Sequence, residues 1–456
     1  MLHFFRKVFL LSVLVALCTV QSMAKDYKAL ANAVKGEYSW CWNHYKQTAW
    51  NFDERKPISG DPINWYAQPL YMNMIDALDG LYMMGLKKEA DSVVTWLEKN
   101  ATWDKDISVS AFEINIRLVG GLLSAYEITG HKKLLDLATD LANRLLPVFN
   151  TPTGLPYRFV NLKTGELKGK VSNPAEIGTY IIEFGTLSKL TGNKIYFDKA
   201  KKALMSLYEK RSAIGLVGEG IDVETGAWTN TSSHVSGGID SYYEYLLKGW
   251  LLFKDADLKK MWDVHRKALD KYCLDKVESG WWYGYVDMND GHRTNRYYGA
   301  LDAFFPAVLV LDNDLITAKQ LEASCYKMWC LHNIEPEVID YSKMEVVKGG
   351  EGYALRPEIA ESAYYLYLKT KDEKYLKMGE KIFSDLKQYC KDKYGYAELK
   401  SVITKEKKDR QHSFFYAETL KYLYLLFSAP SPGSFKFDDY IFNTEAHPVK
   451  KKFIKQ

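Results

Sequence analysis

The chain has 456 residues, of which 47% are hydrophobic, and it carries a formal net charge of +4 at pH 7. This hydrophobic content is enough for a sizeable core. Because the net charge is small and no basic bias is present, we expect no nucleic-acid partner.

Residues 1–24 have the features of a secretory signal peptide. Arg6 and Lys7 precede a short apolar stretch, Val8 to Val20, and small residues end at Ala24. The apolar stretch is too short for a typical membrane span. We therefore predict an exported protein, periplasmic or secreted, without a membrane span in its mature form. An uncleaved membrane anchor is the alternative.

One pattern recurs along the rest of the chain: an apolar helix, a short turn, and an amphipathic Lys-rich helix. The apolar helices should be buried and the one-sided helices should lie outside. Six such pairs are visible, and the first helix, Tyr27 to Lys46, can pair with the last, Phe414 to Phe427, to close a ring. We predict an all-α toroid of seven helical hairpins. An open solenoid is the alternative. The predicted turns lie near Gly85, Gly130, Gly192, Asp255, Asn313 and Asp372.

The segments between helix pairs are rich in Gly, Pro, Asn and Trp. Residues 154–169 and 215–230 are predicted to form β-hairpins, because Lys-Thr-Gly and Glu-Thr-Gly stand at their centres. No linker interrupts the pattern, so residues 25–456 should form a single domain.

Several carboxylates stand on the predicted inner helices. An acid within an apolar helix is costly to bury unless it is paired or coordinates a ligand. For any one position a satisfied core group is a sufficient explanation, but a ring of helices would bring several such ends to one cavity. Two carboxylates in different environments are the minimum for glycoside hydrolysis. The residues concerned are Glu113, Asp240, Glu244, Glu358, Glu361 and Glu418.

The surroundings of two of these acids suggest different roles. Glu358 follows Arg356 at a helix start, and both features favour the charged carboxylate that a general base needs. Glu113 follows the apolar Phe112, which favours a protonated acid, although Arg117 on the same helix face opposes that tendency. The base assignment is therefore the stronger of the two.

The sequence FNTEAHP, residues 442–448, follows the last predicted helix. Thr444 offers a hydroxyl and a carbonyl oxygen, which are hard donors of the kind that calcium prefers. We predict a calcium site at Thr444.

The cysteines do not indicate a disulfide framework or a zinc site. Five remain after the leader, with irregular spacing, and neither C-x-x-C nor H-E-x-x-H occurs. We expect buried free thiols, with at most one or two bridges. These cysteines are Cys41, Cys273, Cys325, Cys330 and Cys390.

Several sequence blocks, in this order, resemble those of the family 47 glycoside hydrolases, the class I α-1,2-mannosidases. They include SAFEINIRLVGGLLSAY, GGIDSYYEYLLKG, LRPEIAESAYYLY, SFFYAETLKYLYLLF and FNTEAHP. The resemblance spans roughly Ala29 to Pro448. It implies an (α/α)7 barrel, a calcium ion bound by Thr444, and inverting exo-hydrolysis of terminal α-1,2-linked mannose from high-mannose N-glycans.

The resemblance also implies roles for single residues. Glu113 matches the family's acid in F-E-x-x-I-R, and Asp240 matches a rival candidate for the acid. Glu358 matches the base, and Arg117 matches an arginine that contacts sugar. The residues matching positions that line the sugar and cation site are Arg356, Glu361, Glu418 and Glu445. We expect a monomer that acts on a high-mannose oligosaccharide or glycoprotein.

Two departures from the processing mannosidases of the family stand near LDAFFPAVLVL. Ala300 and Ala303 occupy positions where those enzymes carry His and Cys, so Cys325 lacks its usual disulfide partner. This block and GWWYGYVDM resemble the degradation-enhancing mannosidase-like branch instead. The alternatives left open are a mannose-glycan-binding lectin on the same fold, an (α/α) barrel hydrolase or epimerase for another sugar, and a scaffold solenoid.

Overall fold

The computed structural model describes residues 26–451, so the predicted leader at residues 1–24 lies outside the described chain. The helices of this region form an inner and an outer layer. The inner layer contains Met72–Asp76 with Leu78–Met83, Ala111–Glu113 running through Ile114–Val119 into Gly120–Thr129, Pro174–Gly178 with Ile181–Thr191, Asp240–Phe253, Leu301–Phe304 with Phe305–Leu311, Glu358–Thr370, and Phe415–Thr419 with Leu420–Ser428. The outer layer contains Tyr27–Thr48, Lys87–Asn100, Lys132–Leu145, Ile195–Glu209, Ala256–Ala268, Leu315–His332 and Glu373–Asp385.

The inner helices form a closed ring. Each contacts the next in chain order, and the last inner helix returns to the first through Phe415–Thr419 and Leu78–Met83. The first helix, Tyr27–Thr48, packs along the last, Leu420–Ser428, as its outer partner. The predicted seven-hairpin toroid is therefore confirmed, and the open solenoid is excluded.

A left-handed residue follows each of the six predicted inner helices, as expected where a helix stops and the chain reverses. Two turns differ in detail from the prediction, because Lys254 and Lys371 adopt this conformation rather than the aspartates beside them. Asp255 and Asp372 instead cap the following outer helices by accepting hydrogen bonds from backbone N–H groups. The left-handed residues are Gly85, Gly130, Gly192, Lys254, Asn313 and Lys371.

Short antiparallel strands fill the loops that lead from each outer helix to the next inner helix, so they gather at the amino-terminal end of the inner layer. The hairpins predicted within 154–169 and 215–230 are confirmed as Phe159–Asn161 with Leu167–Lys168 and Gly220–Asp222 with Trp228–Asn230. The other strands of these loops are Glu54–Arg55, Pro62–Ile63, Ser108–Ser110, Val171–Ser172, Ser232–Ser233, Leu274–Val277, Gly280–Tyr283, Tyr285–Asp287, Arg293–Asn295, Tyr297–Gly299, Val338–Asp340, Glu345–Val346, Glu398–Leu399 and Lys407–Lys408. A separate hairpin, Tyr440–Phe442 with Pro448–Lys450, follows the last inner helix.

Two inner helices contain a π-helical segment. Ile114–Val119 carries Arg117, and Phe415–Thr419 carries Glu418. A π-helical turn changes the direction in which side chains leave the helix, and such turns are frequent at functional sites. Both segments therefore mark the amino-terminal end of the barrel as the place to look for a site.

The five cysteines of the described chain are free thiols, so no disulfide forms within residues 26–451. Four of them are buried as expected, but Cys330 is exposed, which corrects the expectation for that residue. No helix between residues 26 and 451 is long and apolar enough to cross a membrane.

Candidate active site

A cavity of about 260 Å³ opens at the amino-terminal ends of the inner helices. Every site residue predicted from the sequence lines it, including Thr444 and the arginines Arg117 and Arg356. The predicted convergence of acids from distant helices is thus observed. Eight carboxylates line the cavity: Glu113, Glu176, Asp240, Glu244, Glu358, Glu361, Glu418 and Glu445.

Arg117 ties three parts of the chain together at one wall of this acidic pocket. Its Nε donates to Glu113 Oε2 at 2.9 Å, which confirms that the two side chains share a helix face. The guanidinium also pairs with Glu445 and lies 3.5 Å from Asp76. It sits 5.1 Å from the centre of the Trp65 ring, where a cation–π contact adds to its fixation.

Arg356 is held in a similar way. Its Nη2 donates to Glu337 Oε2 at 2.9 Å, and its guanidinium lies 5.9 Å from the Phe414 ring. Glu244, which shares a helix face with Asp240 as predicted, is neutralised by an ion pair with Lys248.

Glu358 begins the helix Glu358–Thr370, with Pro357 as the preceding cap residue. Burial raises the pKa of its carboxyl to about 8, although the charge of Arg356 acts in the opposite direction. The expectation that Arg356 and the helix start would keep Glu358 ionised is therefore wrong for the protein alone, because desolvation outweighs both. One carboxylate oxygen, Oε2, is buried without a hydrogen-bond partner in the described chain.

Neighbouring acids are shifted in the same direction. Burial raises the pKa of Asp240 and of Glu361 to about 7, and that of Glu445 to about 8 despite Arg117. Burial also raises the pKa of Glu418, and the charges of other pocket acids raise it further. Perturbed groups gathered in one cleft are typical of a functional site.

The C-terminal hairpin, formed by Tyr440–Phe442 and Pro448–Lys450, brings Thr444 to the wall of this pocket. Its tip is fixed by Asn443, whose amide donates to Ile116 O at 2.9 Å and to Glu183 Oε1 at 2.8 Å. The Asn443 side-chain oxygen accepts from the backbone of Glu445 and His447, so the tip is preorganised.

A buried charged cluster, which we call the clasp, holds the same hairpin from below. His447 Nδ1 lies 2.7 Å from Asp79 Oδ2, and its Nε2 lies 3.4 Å from Asp76 Oδ1. Lys421 Nζ lies 2.7 Å from Asp79 Oδ1 and donates to Ala446 O at 2.7 Å. Every charge in the clasp therefore faces an opposite charge.

The donor set at Thr444 fits a calcium ion. Within residues 26–451, neither its hydroxyl nor its carbonyl oxygen takes part in a hydrogen bond, and both belong to a residue lining an acid-rich cavity. The same range contains no group of three or more His, Cys, Asp or Glu placed to ligate a metal directly. Calcium is a hard cation that could take both free oxygens of Thr444 as ligands. Its other ligands would be waters held by the surrounding carboxylates, so a cluster of direct carboxylate ligands is not needed.

Some residues of the site were not predicted from the sequence. Asp76 and Glu176 stand at or directly beside sequence blocks of the family but were not predicted as site residues, Glu337 lies outside those blocks, and Phe414 was predicted only as the start of a helix. The acidic pair Glu335 and Glu337, standing directly before a strand, was an available signal for one of them.

The family model for glycosyl hydrolase family 47 matches residues 37–451. The chain belongs to this family. It is a glycoside hydrolase, and its family relationship supports α-mannosidase activity on N-glycans.

Similar proteins agree with this placement. The chain is 38% identical over 460 residues to the human ER degradation-enhancing alpha-mannosidase-like protein 2, covering 93% of this chain and 78% of that protein. It is 35% identical over 432 residues to the mannosyl-oligosaccharide 1,2-alpha-mannosidase MNS1 of Arabidopsis thaliana, covering 90% and 76%.

Among solved structures, the fold matches an alpha-1,2-mannosidase from Trichoderma reesei with a TM-score of 0.85 and 26% identity, covering 93% of this chain and 99% of that one. A sugar epimerase from a ruminal bacterium matches with a TM-score of 0.52 at 11% identity, which shows a related fold alone.

Proposed function

We propose that this protein is an exported, calcium-dependent exo-α-1,2-mannosidase that trims terminal mannose from high-mannose N-glycans with inversion. The observation that carries the proposal is the convergence of Glu113, Asp240, Glu358 and Thr444 in one cavity although they are far apart along the chain. The relatives named above support the substrate class.

In this proposal Glu358 is the general base, a role that needs the ionised carboxylate. A calcium ion bound in the same pocket would lower the pKa that burial raises. The Glu358 carboxylate takes a proton from a water molecule whose oxygen attacks the anomeric carbon of the terminal mannose. Glu113 or Asp240 donates a proton to the glycosidic oxygen as the bond to the leaving sugar breaks. Inversion needs roughly 6.5–9.5 Å between base and acid, which leaves room for the water.

The remaining residues bind and orient the substrate. Arg117 and Arg356 are fixed by ion pairs and aromatic rings, so they can donate to sugar hydroxyls without first losing side-chain freedom. Thr444 would hold a calcium ion, which supplies a site for sugar hydroxyls and a positive charge among the carboxylates. Glu361, Glu418 and Glu445 would accept from its waters.

The test is digestion of a defined high-mannose glycan with and without a chelator, with the released anomer followed by NMR. The proposal expects release of β-mannose from α-linked ends, lost with chelator and restored by calcium. Tight glycan binding without release would favour a lectin, and activity unchanged by the chelator would contradict the calcium site.

Export and the oligomeric state are tested on the native protein. We expect the mature chain in the exported fraction, with its first residue at Lys25 by mass spectrometry, and a monomer by light scattering. A retained leader would favour a membrane anchor.

A further inference from the structure

Arg158 is a third arginine at the acidic pocket, in addition to Arg117 and Arg356. It directly precedes the strand Phe159–Asn161, and its side chain is 37% exposed. Its guanidinium binds Glu176, a carboxylate that lines the pocket and is 14% exposed. Both Nε and Nη2 donate to this carboxylate, and the distance from Nη2 to Oε1 is 2.7 Å. A guanidinium bound at two points is held in one orientation, so Arg158 presents a fixed cation at the rim of the pocket.

Neighbouring groups also fix Arg158 and leave one of its donors free. The guanidinium lies 5.3 Å from the centre of the Phe159 ring. The backbone N–H donates to Gly169 O at 3.2 Å, and a Cβ at Gly169 would lie only 3.0 Å from Arg158 Cβ, so the glycine leaves the space that the arginine occupies. Within residues 26–451, Nη1 donates to no protein acceptor, so this nitrogen can bind a ligand without a rearrangement of the side chain.

Arg158 is attached to the segment that carries Glu113. The backbone N–H of Ala111 donates to Arg158 O at 2.9 Å, and Ala111 is the first residue of the helical turn Ala111–Glu113. The preceding strand continues this contact, since Ser110 pairs with Phe159. The backbone of Arg158 therefore lies against the start of the helix that presents Glu113 to the pocket.

Glu176, the partner of Arg158, is attached to the segment that carries Asp240. The backbone N–H of the adjacent Ala175 donates to Gly238 O at 3.0 Å, and Gly238 precedes Asp240 by two positions. Glu176 and Asp240 both line the pocket. The ion pair of Arg158 with Glu176 thus joins the two segments that carry the candidate acids.

The position of this ion pair indicates which part of the substrate it meets. A general acid protonates the oxygen of the leaving sugar, so that sugar lies against the acid, whereas the attacking water lies on the opposite face. Whether Glu113 or Asp240 is the acid, the leaving sugar comes next to Arg158. We propose that Arg158 binds the leaving part of the glycan by donating from its guanidinium to sugar hydroxyls, so that the enzyme selects terminal mannose attached to another sugar. This inference rests on the proposed function and deepens it, because it assigns a residue to recognition of the leaving group.

The experiment compares two substrates of the calcium-loaded full chain that share the same terminal mannose. A defined high-mannose glycan has a leaving sugar, and α-mannosyl fluoride has none. In Arg158→Met, kcat/KM for the glycan should fall about 10-fold, since a hydrogen bond from a charged donor contributes on this order. The value for the fluoride should stay within about twofold of the wild type, because no leaving sugar is present to bind. Arg296→Met, at a half-exposed arginine that pairs with Asp275 outside the pocket, is the matched control and should change neither value.

Arg158→Lys is a milder second variant that decides the matter if Arg158→Met does not fold. It keeps a positive charge beside Glu176 but loses the two-point contact, so kcat/KM for the glycan should fall by a smaller factor while the value for the fluoride stays unchanged. Equal losses on both substrates would leave Arg158 a merely structural residue. Unchanged values on both would show that it does not contact the glycan, and either result would overturn the inference.

A binding measurement separates this inference from the proposed function. In a Glu358→Gln background, adding Arg158→Met should raise the Kd for the glycan about 10-fold and leave the Kd for free mannose unchanged. A wild type that binds the glycan but releases no mannose would contradict the proposed function. The Kd for the glycan would then still decide the role of Arg158, and an unchanged Kd would overturn it.

Discussion

The acidic pocket and the clasp lie next to each other and both bury ionisable side chains, but the clasp pairs its acids with cations, whereas the pocket holds more acids than cations. In the clasp, Asp76 and Asp79 face His447 and Lys421 at short distances. In the pocket, eight carboxylates share the cavity with two arginines. Removing one partner of a buried ion pair destabilises a structure, because the other charge is left uncompensated, whereas buried acids that exceed the available cations can bind a ligand.

The same difference shows in the titration of the two regions. Among the pocket acids, burial raises the pKa of Glu358, Glu361 and Glu445. In the clasp, Lys421 and His447 together lower the pKa of Asp79 although it is buried. Substitutions in the pocket should therefore affect turnover, and substitutions in the clasp should affect stability.

The largest effect is expected for Glu358→Gln in the pocket. Removing the proposed base should lower kcat by about 10³-fold, since a positioned acid or base contributes on this order. Thermal denaturation should show that the variant is folded. Asp136→Asn, the same kind of substitution at an exposed outer-helix acid, is the control and should keep wild-type turnover. Turnover within a few-fold of the wild type would remove Glu358 from the mechanism.

Next in size is Lys421→Met in the clasp. Its loss leaves Asp79 buried beside only one cation, which should lower the free energy of unfolding by about 3–5 kcal/mol. Denaturant titration measures this, with the exposed Lys133→Met as the matched control. A change below about 1 kcal/mol, the value typical of surface pairs, would contradict the clasp as a stabilising unit.

His447 should make the stability of the clasp depend on pH. The charges of Asp79 and Asp76 raise the pKa of His447 from 6.5 to about 9, against the effect of burial. Because the folded pKa lies above the unfolded one, the stabilisation is fully present below about pH 6.5 and disappears as the pH rises through 9. The whole effect is about 3 kcal/mol.

The measurement is the free energy of unfolding between pH 6 and pH 10, for the wild type and for His447→Gln. In His447→Gln, the free energy of unfolding should lose the part of its pH dependence that His447 causes. Parallel pH curves for the two proteins would show that His447 is not held charged in the fold.

Thr444→Ala should have the smallest effect. Removing one of two oxygen ligands should weaken calcium binding, and each tenfold loss in affinity lowers the stability gained from saturating calcium by about 1.4 kcal/mol. The calcium-induced rise in melting temperature measures this, with Thr444→Ser as a control that keeps the hydroxyl. An equal rise in all three proteins would place the ion elsewhere.

Much of the fold could be predicted from the sequence because each helical hairpin is encoded locally. Each hairpin can be recognised within about thirty residues of sequence. It consists of an apolar helix, a left-handed residue such as Gly130, and a one-sided helix such as Lys132–Leu145. Closure of the ring followed from the apolar character of both terminal helices. The site residues on those inner helices were found for the same reason.

What could not be predicted depends on contacts between distant segments. The pairing of His447 with Asp79 spans 368 positions, and nothing near either residue in the sequence indicates it. The protonation of Glu358 was misjudged because Arg356 is visible in the sequence whereas the depth of burial is not.

The most direct test of the central claim is a crystal structure of the protein grown with calcium and an α-1,2-linked mannobiose. The account predicts an ion bound to the hydroxyl and carbonyl oxygens of Thr444, with the terminal mannose between Glu358 and one of the two candidate acids, Glu113 or Asp240. An ion and a sugar bound outside the acidic pocket, with Thr444 bare, would contradict it.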